Sequence, residues 1–132
     1  MVELTEKARR FLTGPNFAAL ATVGKDGSPQ VSAMWVHLDG DRILMNTALG
    51  RYKERNLRRD PRLAITVTDN ENPYDKVTIR GRVLEFIEGE RAEGDIDMLS
   101  GKYIGQSPYP WRKPGERRVT MLIEPITLSE ER

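Results

Sequence analysis

The 132-residue chain contains no cysteine, which excludes disulfides, thiolate nucleophiles and cysteine-ligated zinc. It has a single histidine, His37, too few for the usual metal clusters, so no metal is expected. No apolar run approaches the roughly 18 residues that cross a bilayer, and no charged-then-apolar leader opens the chain; no membrane association is expected, and the protein is expected to be cytoplasmic. Nor is there an excess of one charge. With 21 Lys and Arg against 20 Asp and Glu, the formal net charge is +1, which argues against general nucleic-acid binding. No repeat, low-complexity tract or linker divides the chain, and residues 1–132 are expected to form one domain.

What is present reads as short strands joined by tight turns. "ELTEKARRFL" places Leu4, Ala8, Phe11 and Leu12 at helical spacing, ended by Gly14-Pro15. "FAALATVG" is expected to be a strand buried on both faces. The turn "KDGS" leads into "PQVSAMWVHL", and Asp39-Gly40 into "RILMNTA", giving a three-strand meander. "LAITVTD" follows, then "DKVTIRGRVLEFIE", with Val77, Ile79, Gly81 and Val83 on one face. A second helix from about Gly89 carries Ala92, Ile96, Leu99 and Tyr103 as one stripe. A proline-rich loop, "GQSPYPWRKPGE", precedes the last strand, in which Pro125 marks an edge or bulge. Six strands and few helices predict a mainly β, small antiparallel barrel.

Against the near-zero net charge, "RYKERNLRRDPR" packs six basic side chains into residues 51–62. On a helix, Arg51, Arg55 and Arg58 form one stripe, with Glu54 placed to pair with Arg58. Lys53 and Asn56 fall on the opposite face beside Leu57, where the helix meets the sheet. Lys53 either runs its stem past Leu57 toward water or, with Gly50 and the helix start, converges on an anion such as phosphate. The arginine stripe is either a solvated face or a further anion contact. Trp35 suits either the core or a binding wall, and Tyr109 and Trp111 either cover a site or pin their loop. His37 reads as structural or exposed, and no carboxylate pair is set up for acid–base work.

"FAALATVGKDGSPQVSAMWV" and "ILMNTALGRYKERNLRRDPRLAITV" together resemble the pyridoxamine 5′-phosphate oxidase-like split-barrel superfamily, and most closely its branch that uses the deazaflavin coenzyme F420. The resemblance runs over roughly residues 8 to 88 and more loosely through the last strand. It implies a six-stranded antiparallel split β-barrel of the FMN-binding type and a homodimer with cofactor sites at the subunit interface. By position it implies a ring wall from Met34, Trp35, Val36, Asn46 and Thr47. It implies a phosphate held by Arg51, Lys53 and Asn56 beside Gly50, and in such a dimer Trp111, with Tyr109, is a candidate to cover the ring from the partner subunit. The implied activity is hydride transfer from reduced F420 to an unsaturated small-molecule substrate, with catalytic residues unknown. The remaining arginines would suit a tail of several glutamates. FMN is the alternative cofactor. A flavin carrier without turnover and a single-stranded nucleic-acid barrel using Tyr52, Tyr74 and Trp35 are the other classes. The extended N-terminus and C-terminal arginine-histidine motif of vitamin B6 oxidases are not visible, so that reaction is not expected.

Overall fold

A computed structural model describes residues 1–131. Thr5 opens helix α1 (Glu6–Thr13) as a true N-cap, its Oγ1 accepting the Ala8 N–H at 3.1 Å. The helix drives Ala8, Phe11 and Leu12 into the main core as their spacing predicts. Strands β1 (Ala18–Val23) and β2 (Pro29–Met34) form a hairpin. β3 (His37–Asp39) and β4 (Arg42–Ala48) form another, helix α2 (Tyr52–Arg59) follows, and β5 (Arg62–Thr68) leads to the long β6 (Lys76–Ile87). Helix α3 (Glu90–Ile104) precedes β7 (Arg118–Glu131). All pairings are antiparallel, in the order β2-β1-β5-β6-β7-β4-β3.

The described residues contain seven strands, against the six expected, because "PQVSAMWVHL" breaks at Trp35 and Val36. The expected three-strand meander is therefore two hairpins: β2 ends one edge of the sheet and β3 begins the other. The sheet curls without closing, and residues 35 and 36 are the seam. Backbone polar groups that leave a ladder need other partners. At the seam Val36 finds them in α3: its N–H donates to Tyr103 Oη at 3.1 Å, and its carbonyl accepts from Lys102 Nζ at 2.5 Å.

Two irregularities in the β6–β7 ladder accompany the curl, at Arg80/Gly81 and at Val83/Glu85. Pro125 stands at the first, opposite Gly81, as the bulge reading anticipated. A side chain at position 81 would place its Cβ 2.6 Å from the Glu124 carbonyl oxygen, so the close approach requires glycine. On β6, Val77, Ile79, Gly81 and Val83 are buried as expected. β1 differs from expectation. Its burial alternates, with Ala18, Leu20 and Thr22 inside and Ala19 exposed, because an edge hairpin of this single chain has only one face on the core. A smaller apolar cluster lies where Ile96 and Leu99 of α3 pack on Leu44 and Leu122.

Candidate functional site

The seam opens into a cavity of about 270 Å³ whose walls come from five parts of the chain. The β2 terminus and the break supply Ala33, Met34 and Trp35; β4 supplies Asn46 and Thr47; the start of α2 supplies Arg51 and Lys53. Ile96 and Leu99 project from α3, and Tyr109, Trp111 and Arg118 come from the loop after it and the first residue of β7, with Phe17 at the rim.

One side is aromatic. Trp35 stacks on Tyr103, with ring centroids 5.3 Å apart and planes within 7°, and meets Tyr109 edge-on at 6.1 Å. Trp111 lies 6.1 Å from both Trp35 and Tyr109 and is 58% exposed, so this wall has an open flank. Such flat, offset faces suit a planar conjugated ring.

The other side is cationic. Lys53 is half-buried, with Nζ 3.1 Å from Ser32 Oγ and 3.2 Å from Met34 Sδ. Burial, then the neighbouring Arg51 and Arg118 charges, push its pKa down. Arg118 is buried, and its Nε donates to Asn46 Oδ1 at 2.9 Å. Asn46 is in turn oriented by donating to the Ala92 carbonyl at 2.9 Å and to Thr120 Oγ1 at 3.1 Å. Burial lowers the Arg118 pKa, opposed by Glu116. Thr47 Oγ1 is buried without a hydrogen-bond partner, Arg118 Nη1 faces the buried Glu116 carboxylate at 3.3 Å, and both Thr47 and Arg118 line the cavity. Buried polar atoms normally find partners, so the Thr47 hydroxyl is consistent with a site that receives a polar group. With three cations and an aromatic wall, the residues fit a ring that carries a phosphate.

Met34, Trp35, Asn46, Thr47, Arg51, Lys53 and Trp111 thus come together in one cavity. Val36, Gly50 and Asn56 do not line it. Val36 is fully buried in the core at the seam. The Gly50 N–H donates to Glu54 Oε1 at 2.8 Å, and Gly50 takes φ +92°, a conformation that favours glycine. Asn56 Nδ2 donates to Thr22 Oγ1 at 3.1 Å, and Asn56 borders a second hollow with Tyr52, Arg55 and Arg59. The arginine stripe also divides. Arg58 pairs with Glu54 at 2.7 Å, as its spacing predicted, and with Glu88 at 3.3 Å, while Arg55 lies over the Tyr52 ring. Burial opposes the Glu54 charge, but the Gly50 N–H and Arg58 hold its pKa below the ordinary value. Tyr52 and Tyr74 are exposed and neither lines the cavity with Trp35. His37 is half-buried against Lys102, and burial lowers its pKa.

Sequence reasoning did not single out Arg118, Phe17 or the α3 residues Ile96 and Leu99 as site residues, and left Tyr109 open. Arg118 sits in "RRVTMLIE", where alternation alone cannot say which face meets a cavity. Only its pairing opposite Ala48, next to Thr47, brings it there.

Comparison with known proteins agrees with this architecture. The family model described as pyridoxamine 5′-phosphate oxidase matches residues 4–126. A solved F420 reductase is 31% identical with a TM-score of 0.83, covering 96% of this chain and 98% of its own. A conserved hypothetical protein from Mycobacterium tuberculosis is 23% identical with a TM-score of 0.72, over 97% of this chain and 84% of that one. General Stress Protein 26 from Bacillus anthracis, 16% identical with a TM-score of 0.70 over 96% and 92%, shares the fold. The match over almost the whole chain and the curled, unclosed sheet mean that this protein belongs to the pyridoxamine 5′-phosphate oxidase-like split-barrel superfamily.

Proposed function

We propose that this chain is a cytoplasmic oxidoreductase that binds reduced coenzyme F420 and delivers a hydride to an unsaturated organic substrate. The observation that carries this reading is the pairing, in one cavity, of an aromatic wall around Trp35 with a cationic end made by Arg51, Lys53 and Arg118. The likeness to an F420 reductase favours the deazaflavin over FMN, the alternative that the same phosphate site would accept.

Arg51, Lys53, Arg118 and Thr47 would hold the phosphate, while Met34 and Trp35 would flank the ring. When bound, the reduced deazaflavin supplies the hydride. The chain's own task is to orient the reactants, exclude water and position charge. Among the described residues no carboxylate lines the cavity, so the proton the product needs would come from water or from Tyr109, the phenol on its wall. The working unit would be a homodimer. Val31, 66% exposed, and Phe17, 52% exposed, extend an apolar face with Ala19 and Ala33 that runs into the cavity rim.

Titrating the purified protein separately with F420, FMN and a single-stranded oligonucleotide tests the reading. Micromolar binding of F420, followed by its oxidation when an unsaturated acceptor is added, supports it. Binding of FMN alone would move the assignment to a flavin protein, and binding of the oligonucleotide alone would overturn both.

A further inference from the structure

Glu116 is the one acidic side chain among the described residues that is paired to two cations of the cavity. Its carboxylate is 7% exposed; Oε1 lies 3.6 Å from Arg51 and Oε2 lies 3.3 Å from Arg118 Nη1. The second contact is a close ion pair that offsets part of the buried Arg118 charge. Both guanidiniums at this end of the cavity are therefore partly balanced before any anion arrives. Glu116 does not itself line the cavity, so a bound anion would feel its charge without touching it.

We propose that Glu116 sets the charge of the phosphate this cavity accepts, favouring a singly charged phosphodiester over a doubly charged phosphomonoester. A fixed buried carboxylate repels a ligand in proportion to the ligand's charge, and the low-dielectric surroundings keep that repulsion from being screened. Three cations with no counter-charge would draw a dianion most strongly; Glu116 takes back more of that attraction from the dianion than from the monoanion. F420 carries its phosphate as a diester and FMN as a monoester, so this carboxylate would discriminate between the two cofactors at the atom where they differ most. The inference rests on the phosphate lying at the cationic end of this cavity, as in the proposed function, but not on which ring occupies the wall.

Three flavins with one ring test it: riboflavin, which has no phosphate; riboflavin 4′,5′-cyclic phosphate, a monoanion; and FMN, a dianion well above the phosphate's second pKa of about 6. Dissociation constants for the wild type and Glu116→Gln are measured near neutral-to-alkaline pH by flavin fluorescence. The variant should bind riboflavin unchanged, the cyclic phosphate about fivefold more tightly, and FMN about twenty-five-fold more tightly, because doubling the charge squares the factor. If Glu116→Gln does not fold, Glu116→Asp, which keeps the charge but draws it back by one methylene, should shift the two phosphates in the same order by less. Equal shifts for both phosphates, weaker binding of either, or no binding of either to a folded variant overturns the proposal. A failure of F420 to bind the wild type would instead remove the proposed cofactor and leave this comparison standing.

Discussion

Tyr103 lies parallel to Trp35 at 5.3 Å, while its hydroxyl donates to the Asn16 carbonyl at 2.6 Å and accepts the Val36 N–H at 3.1 Å. One side chain of α3 thus closes the seam of the sheet and backs the aromatic wall of the cavity. Removing its two halves separately should separate the two roles. Tyr103→Phe keeps the stacked ring but strands the Val36 N–H, at a cost of roughly 1–3 kcal/mol in urea unfolding. Its tryptophan emission should stay native-like, whereas that of Tyr103→Ala should shift. Burial pushes the Tyr103 phenol up to about 12 from 10.0. Because the folded value is raised, the wild type should lose stability as pH rises from about 10 through 12, and Tyr103→Phe should lack that loss.

Lys102 sits beside it, its Nζ reaching the carbonyls of Leu12, Thr13 and Val36. Burial pushes its ammonium down to about 8 from 10.5. Between these two values the unfolded chain binds more protons, so stability should rise with pH across that window. Denaturant midpoints measured from pH 8 to 10.5 should climb for the wild type relative to Lys102→Met, and parallel curves would contradict the prediction.

Cofactor binding should separate the cavity's cations from the solvated ones. Lys53→Ala should weaken F420 binding by about ten- to a hundredfold, as should Arg118→Ala if the protein stays folded, because the half-buried Lys53 and the buried Arg118 are charged donors to the proposed phosphate. Arg55→Ala, lying over Tyr52 and outside the cavity, should cost under roughly 1 kcal/mol, with an effect that fades at high salt. Titrations at low and high salt provide the comparison; wild-type affinity in Lys53→Ala would place the phosphate elsewhere.

The apolar face of β1 and β2 should be an interface between copies of this chain. Val31→Lys puts a charge on that face without touching the core, so sedimentation should show a dimer for the wild type at micromolar concentration and a 15.1 kDa species for the variant. A wild-type monomer would refute the dimer.

At the β6–β7 crossing, Gly81→Ala should destabilise the fold by roughly 1–3 kcal/mol, since the added methyl meets the Glu124 carbonyl, which cannot swing away, as well as the Ile123 side chain. Chemical denaturation reads this directly.

Most of the secondary structure was readable from residue order because its causes are local. The helical spacing of Ala8, Phe11 and Leu12, the alternation of Val77, Ile79, Gly81 and Val83, and the stripe from Ala92 to Tyr103 each report one buried face, whereas Leu4, expected on the same helix, is buried from just ahead of its Thr5 cap. The Glu54–Arg58 pair needs only four residues of helix. Much of the site was also visible, since Asn46, Thr47, Arg51 and Lys53 lie within eight positions of one another on a strand, turn and helix. The break at Trp35 and Val36 was not, because an apolar run continues through it. What ends the ladder is the pair of side chains, Tyr103 and Lys102, that arrive from almost seventy residues away to take over the Val36 backbone groups. Arg118, Glu116 and the open Thr47 hydroxyl likewise acquire meaning only when β7 pairs with β4 and brings a distant guanidinium beside Thr47. Periodicity records which face of a segment is buried; it carries no record of which other segment buries it, and a cavity is made of such meetings.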